Sequence, residues 1–206
     1  SQGDTIDTRV TGKFQTGSAE HTLLVGVDWQ KADWDAARGA MRDPAPIDIF
    51  NPVYTGYVPV TNSISYSGGV NRQTGAYLQD QIALDKWRFT VGGRYDWTKD
   101  DTWTQSYTVA TDRYGARAPS RVKNEAFSGN AGILFVADNG LTPYLSYAES
   151  FQPAGSTATQ SFDRTPFDPI TGKQWEVGVK YQPSGFDGLI TLSAYDLRQQ
   201  LSLIHI

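Results

Sequence analysis

Residues Trp87–Trp97 read WRFTVGGRYDW, and this stretch decides the fold. One alternate row is Trp87, Phe89, Val91, Gly93, Tyr95 and Trp97; the other is Arg88, Thr90, Gly92, Arg94 and Asp96. A period of two marks a β-strand, whose successive side chains point to opposite faces. The stretch extends roughly 36 Å at about 3.3 Å per residue. Tilted by about 40°, it rises about 28 Å, enough to cross the roughly 25 Å apolar band of a membrane barrel. Strands of soluble proteins are mostly about half as long. Trp87 and Trp97 stand at the two ends of the apolar row, where interfacial girdles belong. The charged row cannot fill a dry core without partners, but it can line a wet lumen.

The same alternation recurs along the chain. Trp175, Val177, Val179 and Tyr181 alternate with Gln174, Glu176, Gly178, Lys180 and Gln182. Ile6, Val10 and Phe14 share one face at the N-terminal end, opposite Asp7, Arg9, Lys13 and Gln15. Leu23, Val25, Val27 and Trp29 form another apolar row. Gly75–Leu84, Ala126–Ala137, Leu141–Phe151 and about Leu189–Arg198 fit less cleanly. Asp80 falls in the apolar row of its segment and Tyr195 breaks the pattern of the last, which suggests a β-bulge in each. Arg88, Arg94, Asp96, Glu176 and Lys180 are expected on the lumen side.

Short and long connections alternate. Gly17–Glu20, Asp85–Lys86, Asp138–Gly140 and Pro183–Gly188 are short; Asp35–Thr74, Lys99–Val122 and Gln152–Gly172 are long. Long structureless loops are uncommon in compact soluble domains. An up-and-down membrane barrel has them by construction, with short periplasmic turns and long outer loops. The expected fold is therefore all-β: an incomplete antiparallel transmembrane barrel, with about eight strands of a larger one.

Composition agrees. Aromatic residues make up 13% of the 206 residues and Gly occupies 20 positions, as suits strands and turns. Mean hydropathy is −0.45, a value that does not exclude a barrel, because each strand shows lipid on one face only. The net charge of −4 carries no basic block, which argues against nucleic acid as a partner. Without Cys there are no disulfides and no thiolate metal ligands. An export leader is expected upstream of Ser1. The tail Leu201–Ile206, LSLIHI, reads as an extraneous end, so the barrel section is assigned to residues 1–200 and no role is placed on His205.

Three stretches resemble the barrel of TonB-dependent siderophore receptors, the ferrichrome-type group in particular. They are TGAYLQDQIALDKWRFTVGGRYDW from Thr74, FSGNAGILFVADNGLTPYLSYAESFQP from Phe127, and PITGKQWEVGVKYQP from Pro169; DIFNPVY from Asp48 adds to them. The resemblance implies a parent barrel of about 22 strands around an N-terminal plug. It also implies a location in the outer membrane of a Gram-negative bacterium, a ferric siderophore as ligand, and energy from the TonB complex through a plug upstream of this section. Iron would stay inside its chelate, with no cofactor or metal ligand supplied by the protein.

No P-loop, HExxH, GxSxG or GxGxxG occurs, and no enzyme is expected. His21 falls in an expected periplasmic turn, as a solvated side chain. Asp100-Asp101 suggests a cation site, but adjacent strand positions face opposite ways. The ligand candidates are loop aromatics: Tyr54, Tyr57 and Tyr66 in the first long loop; Trp103, Tyr107 and Tyr114 in the second. Aromatic faces suit bulky, partly apolar chelates; the same residues can instead pack the loops together. A passive porin and a soluble β-sandwich binding module are the competing readings.

Overall fold

A computed structural model describes residues 1–41, 50–52, 61–153, 169–183, 185 and 187–200. Within them lies a single antiparallel sheet of nine strands with one 3-10 turn. The long strands are β1 (Gln2–Thr16), β2 (Ala19–Met41), β3 (Thr61–Leu84), β4 (Trp87–Thr108), β6 (Ala118–Phe135), β7 (Leu141–Gln152), β8 (Ile170–Tyr181) and β9 (Ile190–Gln200). The two-residue β5 (Arg113–Tyr114) folds back on the end of β4. Each long strand pairs with its neighbours in sequence. This is the up-and-down order expected, and no second sheet packs on it among the described residues, so the β-sandwich reading falls. The sheet is open, as a section of a larger barrel must be. No helix among the described residues is long and apolar enough to cross a membrane, which says nothing of a barrel.

Register carries the two-face pattern across the sheet. Val25 stands opposite Val10 on one side and Leu78 on the other. Tyr95 stands opposite Ala76 and Phe127. Val177 stands opposite Leu145 and Ala194. Val10, Val25, Leu78, Val91, Phe127, Leu145, Trp175 and Val177 are all exposed. They form one apolar outer face on which nothing packs among the described residues, which is how a lipid-facing wall looks. The opposite face is more enclosed. Asp96 is 4% exposed, Thr98 7% and Val122 3%, and all three lie on it by register.

Four expectations are corrected. First, much of the sequence assigned to long loops is strand: β2 runs on to Met41, β3 starts at Thr61, and β4 and β6 reach Thr108 and Ala118. Beyond the membrane neither lipid nor core imposes alternation, yet the backbone ladder continues. Second, Asp80 needs no bulge, since β3 pairs with β2 and β4 without a shift there. It stays on the outer face. Third, β9 is also regular, and Tyr195 and Leu197 simply sit on the enclosed face. Fourth, His21 belongs to β2 rather than a turn. Its Nδ1 lies 2.7 Å from Asp80 Oδ2, and its ring stacks on Phe14 at 4.7 Å. Pairing and stacking offset part of the cost of two polar groups on an apolar face, while Asp80 Oδ1 stays buried without a hydrogen bond among the described residues.

Candidate functional site

The enclosed face of β1–β4 is wired by side chains into a rigid polar wall. Arg94 Nε donates to both oxygens of Asp96, at 2.9 and 2.8 Å. Arg94 also binds Asp28 through both terminal nitrogens, with Nη2 to Oδ1 at 2.9 Å. Gln73 Nε2 donates to Asp96 Oδ1 at 2.8 Å, and Gln30 Nε2 donates to Gln73 Oε1 at 2.9 Å. Tyr77 Oη donates to Asp7 at 3.1 Å, and the Arg94 guanidinium lies 5.7 Å from the Tyr77 ring. Glycines make room for these large side chains. A Cβ on Gly75 would sit 1.9 Å from Arg94 Nη2, and one on Gly26 would sit 2.3 Å from the Tyr77 ring.

Further round the sheet, Glu176 accepts from Tyr144 Oη at 2.5 Å and from Gln174 at 3.2 Å. Lys180 Nζ lies 5.4 Å from the Tyr144 ring centre. Arg88 donates to the Asp85 and Trp87 carbonyls at the short turn. Arg88, Arg94, Asp96, Glu176 and Lys180 thus share the enclosed face, with Arg94 and Asp96 in direct contact and the others apart.

Above Arg94, towards the end that carries the longer connections, the wall opens into a cavity of about 420 Å³. Thr5, Gln30, Asn71, Gln73, Thr98 and Asp100 line it together with Lys31 and Arg72, and Gln152 and Pro153 close one side. The β6–β7 ladder covers only residues 130–134 and 144–148, which leaves the outer end of β7 free to contribute Gln152 and Pro153. Asn71 is oriented by Trp34, whose Nε1 donates to Asn71 Oδ1 at 3.2 Å. Sequence reasoning missed this cavity because its amides and hydroxyls look like ordinary polar positions until register assembles them.

The aromatic candidates fall elsewhere. Trp103 and Tyr107 lie in β4, not in a loop, and share the parity of Trp87 and Trp97, so they belong to the outer face. Tyr107 stands 4.8 Å from Tyr114, and Tyr66 stands 6.0 Å from Tyr114. Trp103 is covered by the Arg117 guanidinium at 4.0 Å. Tyr107 Oη donates to Asp112 at 2.8 Å, and that bond raises its pKa above the usual tyrosine value. The structure therefore gathers Tyr66, Tyr107 and Tyr114 at the hairpin tip and sets Trp103 apart. Tyr54 and Tyr57 lie outside the described residues.

Asp100 and Asp101 do face opposite ways, but in a strand. Asp101, on the outer face beyond Trp97, meets Arg72 at 3.0 Å, Lys99 at 3.2 Å and Arg121 at 2.5 Å. Arg121 first, and Lys99 after it, lower its carboxyl to about 2. A folded-state value below the unfolded one means that the network's full contribution is present above the ordinary carboxylate range, about pH 4, and is lost as pH falls through about 2. Arg121→Gln is expected to move the Asp101 midpoint up towards the ordinary value in a carboxyl NMR titration. An unmoved midpoint would show that Arg121 does not hold this carboxylate in solution. No group of metal-ligating side chains occurs among the described residues.

Comparison with known proteins places this wall. The chain is 36% identical over 194 residues to the ferrioxamine B receptor of Salmonella typhimurium strain LT2, covering 94% of the chain and 26% of the relative. It is 35% identical over 210 residues to the ferrichrome outer membrane transporter/phage receptor of Escherichia coli K12, covering 98% and 26%. The chain thus spans about a quarter of the length of these curated relatives. Among solved structures, it is similar to the ferric-catecholate import receptor Fiu of E. coli K12, with a TM-score of 0.69, 19% identity, and coverage of 94% and 30%. The ferripyoverdine receptor of Pseudomonas aeruginosa matches with a TM-score of 0.64, 20% identity, and coverage of 96% and 25%. These structures establish the fold alone. Residues 1–200 match the model of the TonB dependent receptor-like β-barrel family, and the chain belongs to that family.

Proposed function

We propose that the complete protein is an outer-membrane receptor that imports a ferric siderophore with energy from the TonB complex, acting through a plug encoded outside this section. The observation that carries the reading is the ordered, amide- and hydroxyl-lined cavity on the enclosed face of a receptor-family barrel wall. Its chemistry favours a hydroxamate chelate. A ferric trihydroxamate is uncharged at its core and presents carbonyl and amide groups that Gln30, Asn71 and Gln73 can meet. A tricatecholate complex carries several negative charges and would need free cations. The two cations in the lining, Lys31 and Arg72, are already paired, with Asp33 and Asp101, and Arg94 is held by two carboxylates.

Direct ligand contact by Trp103, Tyr107 and Tyr114 is the sequence-based expectation. Their outer-face parity favours an indirect role, in which the tyrosine cluster stiffens the β4–β6 hairpin that holds one side of the cavity. Tyr54 and Tyr57 stay candidates for contact from the first outer connection.

The test is uptake of iron-labelled siderophores by cells lacking their own receptors, with and without a working TonB system. Hydroxamate uptake that needs TonB is expected. Uptake that persists without TonB would make the protein a passive channel. Binding of cobalamin or a glycan in place of any chelate would overturn the ligand class.

Orientation is tested separately with single cysteines in the complete receptor. Thr111→Cys, in the 3-10 turn after β4, is expected to react with an impermeant maleimide on intact cells. Asp138→Cys, in the short β6–β7 connection, is expected to stay unlabelled. The reverse pattern would invert the barrel.

A further inference from the structure

The short turn between β6 and β7 holds chemistry that the transport reading does not use. The asparagines of the chain are Asn51, Asn62, Asn71, Asn124, Asn130 and Asn139, and only Asn139 precedes a glycine. Asn62, Asn71, Asn124 and Asn130 lie in strands. There a side chain points out of the sheet, away from the backbone nitrogen that follows it. The Asn71 carboxamide is also held by Trp34. Asn51 precedes Pro52, whose nitrogen carries no proton.

Asn139 differs on each count. It is exposed in the turn. Its Oδ1 accepts from Leu141 N at 3.1 Å, so the side chain curls back over its own main chain in an Asx turn. That carries Cγ towards the Gly140 nitrogen, which has no side chain to shield it. Gly140 N donates to Ala137 O at 3.2 Å, the long end of the ordinary range, and so holds its proton loosely. The fold keeps glycine here: its φ is +81°, and a Cβ would stand 2.0 Å from Gln182 O. The Leu141 N–H has a second effect. Attack on Cγ moves negative charge onto Oδ1, where this donor already stands.

We propose that Asn139 is a self-modification site that converts to isoaspartate ahead of the strand asparagines. Gly140 N loses its proton to solvent and bonds to Asn139 Cγ. The Cγ–Nδ2 bond breaks, ammonia leaves, and a succinimide ring is closed. Water then opens the ring at either carbonyl, giving aspartate or isoaspartate. Nothing is oxidised or reduced, and water is the one co-reactant. Isoaspartate puts an extra carbon in the main chain and a negative charge beside Asp138, the partner of Lys86. The extra carbon shifts Gly140 O away from Gln182 N, a bond of 2.9 Å that ties this turn to the end of β8.

The experiment keeps the complete receptor folded in nanodiscs, in mildly alkaline buffer at growth temperature, with folding followed by circular dichroism. Samples taken over weeks are digested and sequenced by electron-transfer mass spectrometry, which separates aspartate from isoaspartate. The mass gain of amide-to-acid conversion is expected at Asn139 several-fold sooner than at Asn71, Asn124 or Asn130, with isoaspartate in the product. Asn139→Gln, whose longer side chain would have to close a larger ring, is expected to abolish the gain at this turn. Conversion at Asn139 no faster than at the strand asparagines overturns the inference. So does a gain that persists at this turn in Asn139→Gln, or a product that is aspartate alone, which would mean direct hydrolysis of the amide.

Discussion

Val177→Arg is expected to destabilise the complete receptor by roughly 2–4 kcal/mol, while Ser146→Arg costs much less. Val177 is 56% exposed on the outer face. Its neighbours there are Leu145 and Ala194 across the strands, with Trp175 and Val179 two residues away along β8. If this face meets hydrocarbon near mid-depth, a guanidinium there has no water within reach, and the diagonal carboxylate on β9, Asp196, is already bound by Arg198. Ser146 lies on the other face opposite Glu176, where an arginine meets a carboxylate and a polar wall. Val91 is a weaker probe, although it centres the row that reveals the fold. Its cross-strand neighbour on β3 is Asp80, which would partner an introduced arginine and mask the cost. Urea denaturation in lipid vesicles measures the difference. Equal costs at 177 and 146 would mean that the two faces do not see different solvents.

Arg94→Met is expected to cost about 2–4 kcal/mol in the same assay, the lower part of the range for breaking a buried pair because Arg94 keeps some contact with water. The guanidinium neutralises Asp28 on β2 and Asp96 on its own strand, so its loss leaves two carboxylates facing each other across the sheet. Methionine keeps most of the packing over Gly75, which isolates the charge effect. Asp96→Asn in the Arg94→Met background should recover part of the loss, since it removes one of the orphaned charges. A single variant as stable as the wild type would show that water or another cation replaces Arg94 freely.

The membrane-crossing part of the fold is legible in the sequence because lipid on one side and a polar lumen on the other force a period of two. Trp87–Trp97 and Trp175–Tyr181 obey it and pair as expected. Outside the membrane the physical cause of the period disappears. Thr98–Thr108 continues the same ladder with Asp100 and Asp101, then Trp103 and Tyr107, in no apolar order, and so looks like a loop. Asp80 misleads in the opposite sense: an outer-face carboxylate reads as a break until His21, far away in sequence, is brought beside it.

The candidate site was legible only as an end of the molecule. The aromatic residues draw attention because they are large, but register puts Trp103 and Tyr107 on the outer face. The cavity depends on Gln30, Asn71, Gln73, Thr98 and Asp100, small polar residues on three strands. Nothing short of the β2–β3–β4 register shows that they meet.

One face of this sheet is expected to see lipid and the other the lumen. A spin-label scan tests it most directly, placing one nitroxide at a time on each of residues 87–97 of the complete receptor in lipid bilayers. Collision rates with oxygen, which concentrates in hydrocarbon, and with a water-soluble nickel chelate are then compared. A strict alternation is expected, with oxygen dominant at 89, 91, 93 and 95 and nickel access at 88, 90, 92 and 94. A flat profile, or nickel access at 91 and 93, would contradict it.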